Sequence, residues 1–153
     1  MATMRPSSRR SRSPTRKNKL GLEVDAATSE RLGRVRQHGT AAELAVRGAV
    51  HSEGRRYRTV NRDLPGSPDI ANRSQKWAIF VHGCFWHRHE GCHRTTTPTR
   101  NREFWVAKFA ANMARDARAV TELRAMGFRV LVVWECEADA PERLANLTGD
   151  FFA

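Results

Sequence analysis

Trp77-Ala78-Ile79-Phe80-Val81-His82 is a continuous apolar run closed by one histidine. Its β-branched and aromatic residues suit a strand buried on both faces. Gly83 breaks it, and a second run of the same kind, Arg129-Val130-Leu131-Val132-Val133-Trp134-Glu135, lies downstream. Between the two, Glu103 to Met126 reads as one long helix, with Gly127 placed to end it. Strand, helix and strand in that order predict a β-α-β unit, two parallel strands joined by a right-handed crossover.

Parallel strands end on one edge of a sheet, and neighbouring strands lie about 5 Å apart. Cys84 sits just past the first run and Cys136 just past the second. The β-α-β unit therefore brings two thiols distant in sequence to one place. The segment 84–100 leaves that edge with little periodicity and adds Cys92, His87, His89 and His93. A structureless loop of that length is uncommon unless it is functional or stapled. Three thiolates and one of those imidazoles would make a tetrahedral zinc site, and four protein ligands would make it a structural one. Against this, Cys-x4-His-x2-Cys is not a standard finger spacing, and Cys136 can equally be a plain buried thiol.

The same edge collects other polar groups. Leu64-Pro65-Gly66-Ser67-Pro68-Asp69 is a turn that cannot be helix interior, and Asp69 to Ala71 starts a short strand. His82 closes the central strand, and His87 follows in the loop. In open α/β sheets, sites gather at the carboxyl ends of parallel strands. On the long helix, Trp105, Phe109, Asn112, Asp116 and Leu123 approximate one stripe. A carboxylate on a sheet-facing stripe needs a partner, and a nearby histidine is the natural one; if the stripe is misphased, Asp116 pairs instead with an exposed arginine. Upstream, Thr40 with Glu43 three residues on reads as a capping box opening a helix to about His51, and Glu43 is also spaced to pair with Arg47. Thr28 to Gln37 reads as a short basic helix, Tyr57 to Val60 as a strand, and Pro141 to about Leu147 as a final short helix.

The chain has 153 residues, about one domain, and a formal net charge of +11. Residues 1–20 hold seven of the basic residues and no acid, which leaves about +4 for residues 21–153. Residues 1–20 are expected to be a disordered tail, either a solvated leader or a basic arm adding salt-sensitive, sequence-blind DNA affinity. Residues 21–153 are expected to form the folded domain. No apolar stretch approaches a membrane span, and no secretory signal is expected at the N-terminus. The three cysteines favour metal binding in a reducing cytoplasm over a disulfide framework.

Several of these motifs together resemble the very-short-patch repair (Vsr) family of DNA mismatch endonucleases. They are Phe80-Val81-His82-Gly83-Cys84-Phe85-Trp86-His87, the Leu64–Asp69 turn, Pro98-Thr99-Arg100 with Glu103-Phe104-Trp105, Asn112 with Arg115-Asp116, and Val130 to Cys136. They run in the same order from about Thr28 to Glu137. The resemblance implies an α/β, restriction-endonuclease-like fold, a central mixed sheet flanked by helices with a zinc-stapled loop. It implies a Mg²⁺-dependent endonuclease that nicks one strand 5′ of the T in a T:G mismatch, the product of 5-methylcytosine deamination. Asp69 and the Val81 backbone carbonyl would bind Mg²⁺, and His87 would be the general base. His82 and Asp116 would complete the network at the phosphate, with Glu43 supporting. Cys84, His89, Cys92 and Cys136 would hold structural Zn²⁺, and Phe85 and Trp86 would wedge into the base stack.

The expected partner is double-stranded DNA with a T:G mismatch, met by a monomer in the cytoplasm, at the nucleoid when DNA-bound and with no membrane. A functional link to a cytosine-C5 methyltransferase goes with it. The chain departs from the family at Val81, where many members carry Thr, and in a His89–Cys92 spacing one residue longer. Apart from the resemblance, adjacent Phe85 and Trp86 are of a type more often found in a core. Two alternatives remain: a restriction-type or general DNA-nicking nuclease of the same fold, and a non-catalytic zinc-stapled DNA-binding module.

Overall fold

The computed structural model describes residues 16–17, 23–24, 30, 34–35 and 38–153. The chain divides into two units, Met1–Val35 and Arg36–Ala153. In the first, β1 (Arg16–Lys17) pairs with β2 (Glu23–Val24) as a two-residue antiparallel ladder. The rest of the expected tail, and most of the expected helix over residues 28–37, lie outside the described residues.

The second unit is built on a three-stranded mixed sheet in the order β3-β4-β5. β3 is Ile70–Asn72, β4 Trp77–His82 and β5 Arg129–Trp134. β3 runs antiparallel to β4, with Ile70 opposite Ile79. β5 runs parallel to β4, with Trp77 opposite Arg129 and His82 opposite Trp134. This is the expected β-α-β unit. The central strand is buried on both faces except at Val81. β5 is not: only Val133 is fully buried, and among the described residues β5 has a strand neighbour on one side only. The expected strand over Tyr57–Val60 is reduced to a single bridge between Arg58 and Ala71. Among the described residues, the segment has no strand partner beyond β3.

Helices flank both faces. α1 (Ala41–Ser52) packs with the C-terminal helix over a core of Val46, Val50, Ile70, Trp77, Ile79 and Val133. The other face carries Leu64, Ala78, Phe80, Ala119, Leu123 and Phe128 beneath the long crossover helix. Each fully buried Leu, Ile or Val contributes roughly 1.5–3 kcal/mol through burial. Thr40 caps α1 as expected, its Oγ1 accepting from the Glu43 N–H at 3.2 Å. The return arm differs: Glu43 accepts from the Gly39 N–H at 2.8 Å. α2 is a single turn, Cys84–His87, within the segment expected to be irregular. α3 (Arg102–Ala125) is the long crossover helix, and Gly127 follows it with φ of 83°. α4 (Glu135–Ala138) leaves the end of β5 directly, and α5 (Pro141–Phe152) closes the chain. α5 runs past the expected end near Leu147 and through Gly149, because Phe152 docks edge-on against Trp77, ring centroids 5.0 Å apart. Packing at that end outweighs the cost of a helical glycine.

Candidate active site and metal centre

The Leu64–Asp69 turn is held by close packing. Gly66 has φ of 70°, and a Cβ there would lie 2.4 Å from the Ala119 Cβ of α3. Only glycine lets the turn approach the helix so closely. Asn61, 2% exposed, braces the turn from inside. Its Nδ2 donates to the Arg58 carbonyl at 2.9 Å and to the Pro68 carbonyl at 3.1 Å. Pro68 in turn delivers Asp69 to the start of β3. The Asp69 Oδ2 accepts from the Val81 N–H at 2.7 Å, fixing the carboxylate beside the end of β4. Burial raises the Asp69 pKa, the Val81 N–H opposes that, and the nearby Glu43 carboxylate adds to the rise.

One residue beyond Val81, the buried His82 ring stacks on His87, centroids 4.0 Å apart and planes within 8°. His87 comes from the one-turn α2, which Gly83 admits. His87 Nδ1 lies 2.5 Å from the Asp116 Oδ2 of α3. An ionised carboxylate only accepts, so Nδ1–H is the donor, and Nε2 is the ring nitrogen left outside that bond. His82 is lowered to about 4, mainly by burial and then by the His87 charge, so its ring is neutral near pH 7. Asp116 is pushed up by burial but lowered overall, because the His87 hydrogen bond and the two histidines favour its charge. Ligand atoms of His82, His87 and Asp116 lie within 4.8 Å of one another. Glu43 is buried on α1, in the expected i,i+4 pair with Arg47 at 3.3 Å, while its other expected role is met only in part, since it accepts from the Gly39 N–H and not from that of Thr40.

The second cluster stands at the same rim. Donor atoms of Cys84, His89, Cys92 and Cys136 lie within 4.8 Å of one another, and all three cysteines are free thiols. His89 is the imidazole of this set; His87 belongs to the other cluster, and His93 is exposed. His89 Nδ1 lies 3.3 Å from the Cys136 sulfur and 3.7 Å from that of Cys84. Burial and the neighbouring thiols push Cys84 up to about 12. A thiol so placed becomes a thiolate ligand only when a cation offsets those costs. Soft sulfur donors with one imidazole fit a tetrahedral zinc ion. The surrounding loop is tied down by its own polar groups. Thr95 Oγ1 donates to the His89 carbonyl at 2.7 Å, Arg88 to the Thr96 carbonyl at 2.7 Å, and Arg94 pairs with Asp139 at 2.7 Å.

Phe85 and Trp86 are half-buried. Their rings meet each other and Trp105 of α3, and Phe85 also meets Phe109 edge-on at 5.2 Å. Asn112, buried on the same helix, donates to the Trp86 carbonyl at 3.0 Å. The stripe on α3 thus holds both the aromatic pair and the histidine–carboxylate cluster. Asn61 and Trp134 were not marked by sequence pattern. Trp134 reads as strand interior, and nothing at Asn61 signals its two carbonyl contacts.

The DNA mismatch endonuclease Vsr family model matches residues 24–94. A type II nicking enzyme from Xanthomonas oryzae pv. oryzae is 48% identical over 67% of this chain and 75% of its own. The DNA mismatch endonuclease Vsr of Escherichia coli is 35% identical over 79% of this chain and 77% of its own. A type II nicking enzyme of Neisseria meningitidis serogroup A is 41% identical over 71% and 79%. An α/β sheet with two histidines and two carboxylates at its rim, taken with these relatives, defines an enzyme that hydrolyses phosphodiester bonds of DNA. The chain belongs to the Vsr family of DNA endonucleases. Among the described residues, no helix is long and apolar enough to cross a membrane.

Proposed function

We propose that this enzyme nicks one strand of duplex DNA on the 5′ side of the T in a T:G mismatch, with Mg²⁺ at the reacting centre. One observation carries the reading. The Asp69 carboxylate is anchored to Val81, and the next residue, His82, stacks on the His87–Asp116 pair. Carboxylate and imidazole therefore share one rim. In a strand, the N–H and C=O of one residue point the same way. The Val81 carbonyl thus faces the Asp69 side, past the end of β3 at Ile70. Asp69 and that carbonyl offer hard oxygen donors, which suit Mg²⁺. A backbone ligand also accommodates valine at this position. The ion supplies charge neutralisation at the phosphate.

The protein's own groups supply the rest. Asp116 holds His87 through Nδ1, so that Nε2 accepts a proton from the attacking water, and the resulting imidazolium is stabilised by the same carboxylate. Neutral His82 keeps the His87 ring in plane. Glu43 adds a second negative charge near Asp69, which favours a cation there. Cys84, His89, Cys92 and Cys136 hold structural Zn²⁺ and so fix the loop carrying α2. Phe85 and Trp86, packed on one side against α3, enter the base stack beside the mismatch. Unstacking costs a few kcal/mol, least at a weakly stacked mismatch. In this reading the enzyme works as a monomer in the cytoplasm and at the nucleoid. It acts where a cytosine-C5 methyltransferase makes the 5-methylcytosine whose deamination yields T:G.

The test is a labelled duplex with and without one central T:G pair, incubated with Mg²⁺ or EDTA. A single nick, restricted to the T strand and to Mg²⁺, is expected. Equal cutting of the perfect duplex would favour a general nicking nuclease. Tight binding without cutting would favour a DNA-binding module.

A further inference from the structure

Trp134 stands between the two clusters. It is the last residue of β5, opposite His82 in the parallel register, and Cys136 follows on α4. Its indole lies flat on the His89 ring, centroids 4.4 Å apart and planes within 6°. It also meets the His82 ring edge-on, at 5.4 Å and 70°. His82 stacks on His87, and His87 bonds to Asp116. The side chains of His89, Trp134, His82, His87 and Asp116 therefore form one unbroken line of contact, from the thiol cluster to the α3 carboxylate.

The weak point of that line is His82. Its contacts are ring faces and edges: Phe80 at 5.7 Å, His87 at 4.0 Å and Trp134 at 5.4 Å. No hydrogen bond among the described residues orients its imidazole. Packing alone sets the plane on which His87 rests. The same indole is a wall of the thiol cluster, and a displaced His89 would free it to move.

We propose that Trp134 is a positioning residue coupling the two centres: the ordered Cys84–His89–Cys92–Cys136 cluster holds the indole, and the indole holds the His82–His87 stack in line. The proposal rests on the assignment of His87 as base, but its spectroscopic test does not. Trp134→Leu and Trp134→Phe would be prepared metal-loaded and ¹⁵N-labelled. Three quantities are read: bound zinc, solvent exchange of the His87 Nδ1 proton, and the single-turnover nicking rate against duplex affinity.

His87 does not touch Trp134, so its proton reports alignment and not the lost ring itself. In Trp134→Leu, zinc content and duplex affinity should stay at wild-type level. The His87 proton should exchange faster, and the rate should fall on the order of 10- to 100-fold, the scale of a small misplacement of reacting groups. Trp134→Phe, which retains a smaller aromatic plane, should fall between wild type and Trp134→Leu in both rate and exchange. A folded, zinc-loaded Leu variant with wild-type proton exchange and rate would overturn the proposal. If the Leu variant fails to load zinc, the Phe variant decides: its shorter ring should still speed exchange at His87, and unchanged exchange there would overturn the proposal. Failure of the wild-type enzyme to nick a mismatched duplex would remove the functional reading but leave the proton-exchange comparison standing.

Discussion

The histidine–carboxylate cluster and the thiol cluster share one rim of one sheet, yet they are held together by different forces. His82, His87 and Asp116 come from β4, α2 and α3 and satisfy one another through a stack and a hydrogen bond. Their arrangement is a product of packing. The thiol cluster draws three of its four members from Cys84 to Cys92, and only Cys84 is fully buried. Thiols are weak hydrogen-bond partners, so they give each other little cohesion. The protein brings the four donors to one place, and a cation would have to bind them into a unit. In the proposed reading, one cluster is organised for chemistry by the fold, and the other, with its cation, would organise the fold around it. Damage to the first should appear in rate alone, and damage to the second first in stability and then, through Trp134, in rate.

The largest effect separates the two outright. Asp69→Ala should lower the nicking rate on the order of 10³-fold or more, because a metal-binding carboxylate supplies several kcal/mol of transition-state stabilisation. Duplex binding and the melting temperature should change little. Burial raises the Asp69 pKa, so the folded protein holds that proton more tightly than the unfolded chain. The carboxylate therefore subtracts stability as pH rises through its folded pKa, and its removal relieves that cost while losing the Val81 bond. Mg²⁺-dependent nicking near the wild-type rate would take Asp69 out of the mechanism. A collapse in melting temperature would make Asp69 a structural group and erase the contrast.

Cys136→Ser should give the opposite signature. It removes a ligand contributed from beyond the crossover, so the 84–100 segment loses its tie to β5. A structural zinc site contributes folding energy directly. Loss of several kcal/mol of unfolding free energy is expected, with zinc content well below one per chain. A chelator should reproduce this in the wild type, seen in the same denaturation curve. Unchanged melting and unchanged zinc in Cys136→Ser would end the four-ligand assignment.

The two clusters also differ in how far they could be foreseen. The rim itself was legible, because the apolar runs at Trp77–His82 and Val130–Trp134 announce strands and Gly127 marks the end of the crossover helix. That topology puts Cys84 and Cys136 on one edge, and they meet because the two strands are neighbours. Asp116 was legible as a carboxylate in need of a partner, with a nearby histidine the natural one, and His87 fills that place. What periodicity does not carry is contact between unpatterned segments. The brace from Asn61 to Pro68 depends on the path of residues 53–69, where sequence propensity suggests a strand and the structure has a single bridge. The exposure of β5 depends on the strand count, and the length of α5 on the docking of Phe152 against Trp77. Each is a tertiary effect that no local window contains.

The smallest expected effect tests the part of the site that spacing left open. Cys-x4-His-x2-Cys with flanking histidines offers three imidazoles, and their order in the chain does not choose among them. The fold does. His87 is turned to Asp116 by the single turn of α2, and the left-handed Arg88, φ of 60°, ends that turn. The chain then delivers His89 against Trp134 and the sulfurs. His93 follows Cys92 on the exposed side. His93→Ala should therefore keep one zinc per chain and change stability by no more than about 0.5 kcal/mol, as for an ordinary surface substitution. His89→Ala, measured alongside, should lose zinc. The reverse result, with His93 required and His89 dispensable, would place the imidazole on the far side of Cys92. Trp134 would then no longer face a ligand, and the division of labour between the two clusters would lose its hinge.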